Sequence, residues 1–216
     1  MRNVIHTFEE YLLKLLPKSP LFRGPLHISS KFPSMEEYEK MIDDLYKECR
    51  KYFEPDIVVG VLEGGFYASY VISKKFNSDI DFVKISTNYI RDIIWLQHFT
   101  YIRDPITREI EHRLMALNTK DLRGKKVLIV EDESSSGTTL KVSKCVVERG
   151  GAAEINTAVL VSYIKEHGDF NARSITPFSH LKYMHLPSRR YSPFFKQYEE
   201  KIRKIHKENP WMCSMG

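Results

Sequence analysis

The stretch VLIVEDESSSGTTL, Val127 to Leu140, decides the fold. Four apolar residues run into three acids, then three serines, a glycine and two threonines. A short continuous apolar run is the pattern of a strand buried on both faces. When such a strand ends in acids and feeds a helix, the acids sit at the carboxyl edge of a parallel sheet. That crevice is where open α/β sheets bind their ligands. Two chemistries fit this pattern: acids that hold a divalent cation in a phospho-accepting module, or a hydroxyl-rich turn that grips a phosphate while the acids hold a sugar.

The flanking sequence supplies the rest of an α/β rhythm. Ser34 with Glu37 forms a capping box for a helix whose apolar stripe is Met41, Ile42, Leu45, Tyr46 and Cys49, and Pro55 closes that region. DIVVGVL (56–62) is a second buried-strand run, followed by EGG, a helix over Phe66–Phe76 and the strand DIDFVKIST (79–87). Downstream of the acids, a helix is expected from about Thr138 to Arg149, ended by Gly150-Gly151, and then a strand over Glu154–Val161. Strands alternating with helices predict a doubly wound, mainly parallel sheet.

Outside this core, Ile5, Phe8, Leu12, Leu15 and Leu16 have helical spacing and Pro17 stops them. The tail holds aromatic-rich segments and a helix expected over Pro193–Lys207. The expected organisation is an N-terminal helical extension (1–34), an α/β core (35–165) and a small C-terminal hood (166–216). Residues 87–120 break the rhythm. They form a candidate flexible loop over the site, with a peripheral hairpin or a dimer contact as the alternatives.

The phospho-accepting reading needs a fivefold βα repeat beginning at VLIV, with an acceptor Asp two strands later. About 90 residues follow Lys126, whereas such a domain takes roughly 100–150. DFNARSITPFSH offers Asp169 but no apolar strand leading into it, and two upstream strands would be left over. The phosphate reading uses more of the residues. Ser134, Ser135, Ser136, Gly137, Thr138 and Thr139 straddle a helix start, where unpaired N–H groups and the dipole favour an anion. One hydroxyl satisfies a cap, and five in six positions exceed that need. The Gly-Lys-Ser/Thr ending of a nucleotide P-loop is missing.

Two acids followed by this hydroxyl and glycine turn resemble the 5-phosphoribosyl-1-pyrophosphate (PRPP) motif of type I phosphoribosyltransferases, here Val127–Val130, Glu131, Asp132 and Ser136-Gly137-Thr138-Thr139. VVGVLEGGFYAS (58–69) is similar to the family's pyrophosphate loop. The resemblance implies that Glu131 and Asp132 hold the ribose hydroxyls and that residues 134–139 hold the 5′-phosphate. It also implies that Leu62, Glu63, Gly64 and Gly65 wrap the pyrophosphate, with a non-proline cis peptide at Leu62–Glu63. Glu131, Asp132 and Ser135 form the implied catalytic set, Ser135 standing where oxopurine-using relatives carry an Asp. Lys165, after VLVSYIK (159–165), and His185 are the implied base-binding residues.

The implied reaction is transfer of the 5-phosphoribosyl group of PRPP to a nucleobase, purine-like in preference, with release of pyrophosphate. Mg²⁺ is the implied cofactor, held largely through ribose and water beside Glu131 and Asp132. A non-catalytic member of the fold that binds PRPP or a nucleotide in a regulatory role is the second reading. It is prompted by Ser135 and by Glu63, where relatives often carry Lys or Arg.

Composition narrows the class. The 216 residues carry 33 Lys and Arg against 28 Asp and Glu, a net charge of +5 with no basic stripe for nucleic acid. No apolar run approaches the roughly 20 residues of a membrane span. Cys49, Cys145 and Cys213 lie far apart, which argues against a disulfide framework or a zinc site and fits a cytoplasmic setting. A homo-oligomer, in the first instance a dimer, is expected.

Overall fold

Ser34 starts the first helix by the predicted device. Its Oγ accepts the Glu37 N–H at 3.1 Å, and Glu37 Oε2 accepts the Ser34 N–H at 2.9 Å. Helix α1 (Met35–Arg50) has Glu36 and Glu37 in its first turn and Lys47 and Arg50 in its last, complementing the helix dipole at both ends. Its apolar stripe buries Met41, Ile42, Leu45 and Cys49. The computed structural model describes residues 32–87, 112–116, 121–134, 137–163, 168–174, 184–190 and 192–215. The helix expected over 5–16 lies outside them.

The elements that follow are β1 (Ile57–Leu62), α2 (Phe66–Phe76), β2 (Asp79–Thr87), β3 (His112–Ala116), β4 (Lys126–Ser134), α3 (Thr138–Arg149), β5 (Glu154–Ser162), β6 (Phe170–Ser174) and α4 (Phe195–Glu208). A 3₁₀ segment, Pro210–Met215, comes after α4. The sheet order is β3-β2-β1-β4-β5-β6. β2, β1, β4, β5 and β6 are parallel, and β3 runs antiparallel to β2 at the edge. This is the doubly wound, mainly parallel α/β architecture expected from the sequence.

Alternation along the central strands divides the core into two layers. Val58, Leu128, Val130, Ala158 and Leu160 face the layer shared with α1, α2 and α4. Ile57, Val59, Val61, Val127, Ile129 and Val159 face the other layer, with Leu140 and Val147 of α3. Val127, Leu128, Ile129 and Val130 are all fully buried, so VLIV is a strand covered on both sides.

Two strands were not legible in the sequence. β3 lies inside 87–120, where no alternation marks it, and pairs Val83 with Ala116 through Thr87 with His112. The remainder of that candidate loop is outside the described residues. β6 is short and polar (FNARS), and it pairs with β5 from Ala158–Phe170 to Ser162–Ser174. The sheet therefore continues past residue 165, into the segment expected to form the hood. Asp169 has a structural place here: its Oδ2 accepts both the N–H and the Oγ1–H of Thr157 at 2.8 Å, tying β5 to the turn before β6.

Candidate active site

The topology reverses between β1 and β4. From β1 the chain moves outward to β2, and from β4 it moves outward to β5, while β1 and β4 themselves pair from Ile57–Val127 to Gly60–Val130. The carboxyl ends of these two strands carry the two glycine-containing motifs. A switch point of this kind opens a crevice at the strand ends.

After β1, the Leu62–Glu63 peptide is cis, at the predicted position. Glu63 is exposed, while Gly64 and Gly65 turn back under the strand ends. A Cβ at Gly64 would collide with the carboxylate of Asp132. A Cβ at Gly65 would come within 2.6 Å of the Val61 carbonyl oxygen and 2.8 Å of that of Val130. The pyrophosphate-loop candidate and the ribose-acid candidate thus touch through their backbones and side chains.

β4 does not stop at the acids. The ladder continues with Glu131 opposite Val159, Glu133 opposite Val161 and Ser134 opposite Ser162. Glu131 and Asp132 are each only 6% exposed, which is unusual for carboxylates. Burial, reinforced by the charge of Asp132, pushes the Glu131 carboxyl up to about 8, although a hydrogen bond from Ser134 opposes the shift. Glu131 Oε2 is buried without a hydrogen-bond partner among the described residues. Burial also raises Asp132, while the Arg189 guanidinium and a hydrogen bond from Ser188 hold it down.

Gly137 caps α3 with φ of 71°, a left-handed conformation that suits a residue without Cβ. With glycine at the cap, the cap residue itself supplies no side-chain hydrogen bond to the first-turn N–H groups. Thr138 and Thr139 begin the helix, and Ser134 is buried at the end of β4. Ser135, Ser136 and Lys165 lie outside the described residues. His185 is 9% exposed, with its ring centroid 5.0 Å from that of Phe32. Burial and the nearby Arg189 lower its pKa, so the ring is neutral near pH 7.

The residues that sequence reasoning missed come from the tail. Ser188 Oγ donates to Asp132 Oδ2 at 2.9 Å, and Arg189 Nη2 reaches Glu133 Oε2 at 2.7 Å. The density of basic residues at SRRY was the available signal, but nothing in it points to the acids 56 positions earlier. Beneath the crevice, Tyr38, Tyr67 and Tyr198 cluster with ring centroids 6.0–6.4 Å apart. Their spacing marks them only as core; burial raises the pKa of both Tyr38 and Tyr198, and the nearby Asp132 adds to it.

No group of three or more Asp, Glu, His or Cys side chains among the described residues is arranged to hold a metal ion. The donor set instead fits Mg²⁺ bound mainly by substrate oxygens and water, with Glu131 Oε2 as an available hard oxygen.

Residues 34–176 match the model of the phosphoribosyl transferase domain. The chain belongs to that family. It is a phosphoribosyltransferase, and its fold is that of the type I enzymes. No curated protein matches the sequence. Among solved structures, the purine phosphoribosyltransferase from Pyrococcus horikoshii superposes with a TM-score of 0.56 at 20% identity, covering 74% of this chain and 94% of that one. The xanthine-guanine-hypoxanthine phosphoribosyltransferase of Helicobacter pylori gives 0.55 at 15% identity, covering 79% and 99%. A hypothetical protein from Neisseria gonorrhoeae with bound ppGpp gives 0.57 at 14% identity, covering 79% and 94%. At these identities the likeness is one of fold. Among the described residues, no helix is long and apolar enough to cross a membrane.

Proposed function

We propose that this phosphoribosyltransferase transfers the 5-phosphoribosyl group of PRPP to a purine-like base, releasing pyrophosphate. The observation that carries this reading is the seating of Gly64 against the Asp132 carboxylate, which joins the two motifs in one crevice. Glu131 and Asp132 hold the ribose hydroxyls. Glu131 Oε2, buried and without a partner among the described residues, is the acceptor that a sugar hydroxyl satisfies. The uncapped first turn of α3, with Ser134, Thr138, Thr139 and the outlying Ser135 and Ser136, holds the 5′-phosphate. The backbone of Leu62–Gly65 wraps the leaving pyrophosphate, with the Glu63 side chain exposed at the loop.

In the transfer, the bond from the ribose anomeric carbon to the pyrophosphate oxygen breaks, and a base nitrogen forms the new bond to that carbon. Little covalent chemistry is asked of side chains, so positioning and charge stabilisation supply most of the acceleration. Mg²⁺, when bound, neutralises charge on the leaving pyrophosphate. His185, buried and neutral in the hood, offers a flat ring for a heteroaromatic base, with Lys165 as its proposed hydrogen-bonding companion. The names of the Pyrococcus and Helicobacter proteins favour a purine within this range. A cytoplasmic dimer with a helical extension (1–34), a core that β6 carries past residue 165 and a hood beyond β6 completes the proposal.

The test is incubation of the full chain with PRPP, Mg²⁺ and adenine, hypoxanthine, guanine, xanthine, uracil or orotate in turn, following pyrophosphate release. Release with at least one purine is expected. Release with orotate or uracil alone overturns the purine assignment, and no release with any base overturns transfer to these bases.

A further inference from the structure

We propose that Ser188 and Arg189 are positioning residues for the ribose end of the substrate, acting through Asp132 and Glu133; the inference rests on the phosphoribosyl-transfer reading above. Consecutive residues of the hood grip consecutive residues of β4. Ser188 Oγ donates to Asp132 Oδ2 at 2.9 Å, and Arg189 Nη2 pairs with Glu133 Oε2 at 2.7 Å. The hood turn therefore holds the strand end at two successive side chains. With Oδ2 held by Ser188, the Asp132 carboxylate is fixed in place against Gly64.

The turn is built to be stiff. The Arg189 N–H bonds the Leu186 carbonyl at 3.0 Å, closing a β-turn with Pro187 at its second position, where proline is favoured. The Ser192 N–H bonds the Arg189 carbonyl at 2.8 Å, and the Phe195 N–H bonds the Ser192 carbonyl at 3.1 Å. The last of these turns again has proline second, Pro193, and it leads into α4. Leu186 is fully buried. Tyr163, at the end of β5, accepts the Met184 N–H at 3.3 Å and donates to the Met184 carbonyl at 3.2 Å. The segment presenting Ser188 and Arg189 is thus fixed to the strand next to the one it grips. Glu133 has an 18% exposed side chain and Arg189 a 42% exposed one, so the pair is partly open to solvent.

The experiment is calorimetric titration of the full chain and its variants with two probes in the presence of Mg²⁺: PRPP, which carries the ribose, and inorganic pyrophosphate, which does not. Ser188→Ala is expected to weaken PRPP binding about tenfold, the scale set by one hydrogen bond to a charged group, and to leave pyrophosphate binding unchanged. Ser188→Thr, which keeps the hydroxyl, is expected to restore PRPP affinity. Arg189→Met is expected to act in the same direction. Glu133→Arg combined with Arg189→Glu is expected to recover part of that loss, and Arg189→Lys serves if the methionine variant does not fold.

Equal loss for both probes, alongside a lowered melting temperature, assigns the pair to stability alone and overturns the proposal. Tighter PRPP binding by Ser188→Ala also overturns it, by making Ser188 a competitor of the ribose. A wild-type chain that binds pyrophosphate and not PRPP overturns the phosphoribosyl reading and this inference together. Wild-type binding of PRPP with unaffected variants overturns the inference alone.

Discussion

Gly64 lies directly against the carboxylate of Asp132, in the space a Cβ would need. The contact joins a loop after β1 to the end of β4, so one methyl group there pushes apart two parts of the candidate site. Gly64→Ala is expected to destabilise the chain by about 1–3 kcal/mol, the usual cost of overpacking. PRPP affinity is expected to fall by about tenfold or more, equivalent to roughly 1.4 kcal/mol. Urea unfolding and calorimetry measure the two effects. Wild-type values in both would show that the loop and the acid are not held together.

Gly137→Ala tests the phosphate turn. At φ of 71°, a residue with Cβ is strained by about 1–2 kcal/mol. The melting temperature is expected to drop accordingly, and affinity for ribose 5-phosphate is expected to drop further, because the strain opens the first turn of α3. An alanine variant with unchanged affinity would remove the turn from the binding site.

The buried Glu131 sets an unusual dependence of stability on pH. Its carboxyl titrates at about 8 in the folded chain, against 4.5 when unperturbed. Between these values the folded state binds more protons than the unfolded state. The stability of the ligand-free chain therefore falls as pH rises through this window and levels off above it. Asp132, also raised by burial, adds to the same trend. Glu131→Gln is expected to flatten the curve, gaining on wild type above about pH 8 and losing that advantage near pH 4. Urea midpoints taken across the range in chelator decide the matter, and a wild-type curve that rises over this window would refute it.

Tyr38 is fully buried, and its hydroxyl has no partner among the described residues. Removing an unsatisfied buried hydroxyl costs nothing in hydrogen bonding, so Tyr38→Phe is expected to be neutral or stabilising by up to about 1 kcal/mol. A destabilisation of about 2 kcal/mol or more in chemical denaturation would reveal a bond to the hydroxyl.

The elements that carry their own period or punctuation were legible in the sequence. VLIV and DIVVGVL are buried on both faces and read as strands, and Ser34 with Glu37 marks the start of α1. Helix α3 begins at Thr138 and ends before Gly150-Gly151, as its flanking residues announce. Edge strands escape because they need no apolar pattern: β6 buries Phe170, while Asn171 and Ala172 are only half-buried. In the site, the glycine and acid motifs are local and therefore readable, and the structure brings Gly64 to Asp132. The contacts of Ser188 and Arg189 are not readable, because a serine and an arginine after a proline look the same whether they face solvent or a buried acid. Only the return of the tail over β4 gives them partners.

The continuation of the β4 ladder through Glu131, Glu133 and Ser134 bears on when the site becomes ordered. Residues on a free loop lose about 1–2 kcal/mol of backbone conformational entropy each when a ligand orders them. Here that loss is incurred as the sheet forms, along with the core to which VLIV belongs, and it is not incurred again when ligand arrives. Amide hydrogens of Glu131 and Glu133 should accordingly exchange only with global opening of the sheet, so the acids proposed to meet the sugar share the lifetime of the hydrophobic core.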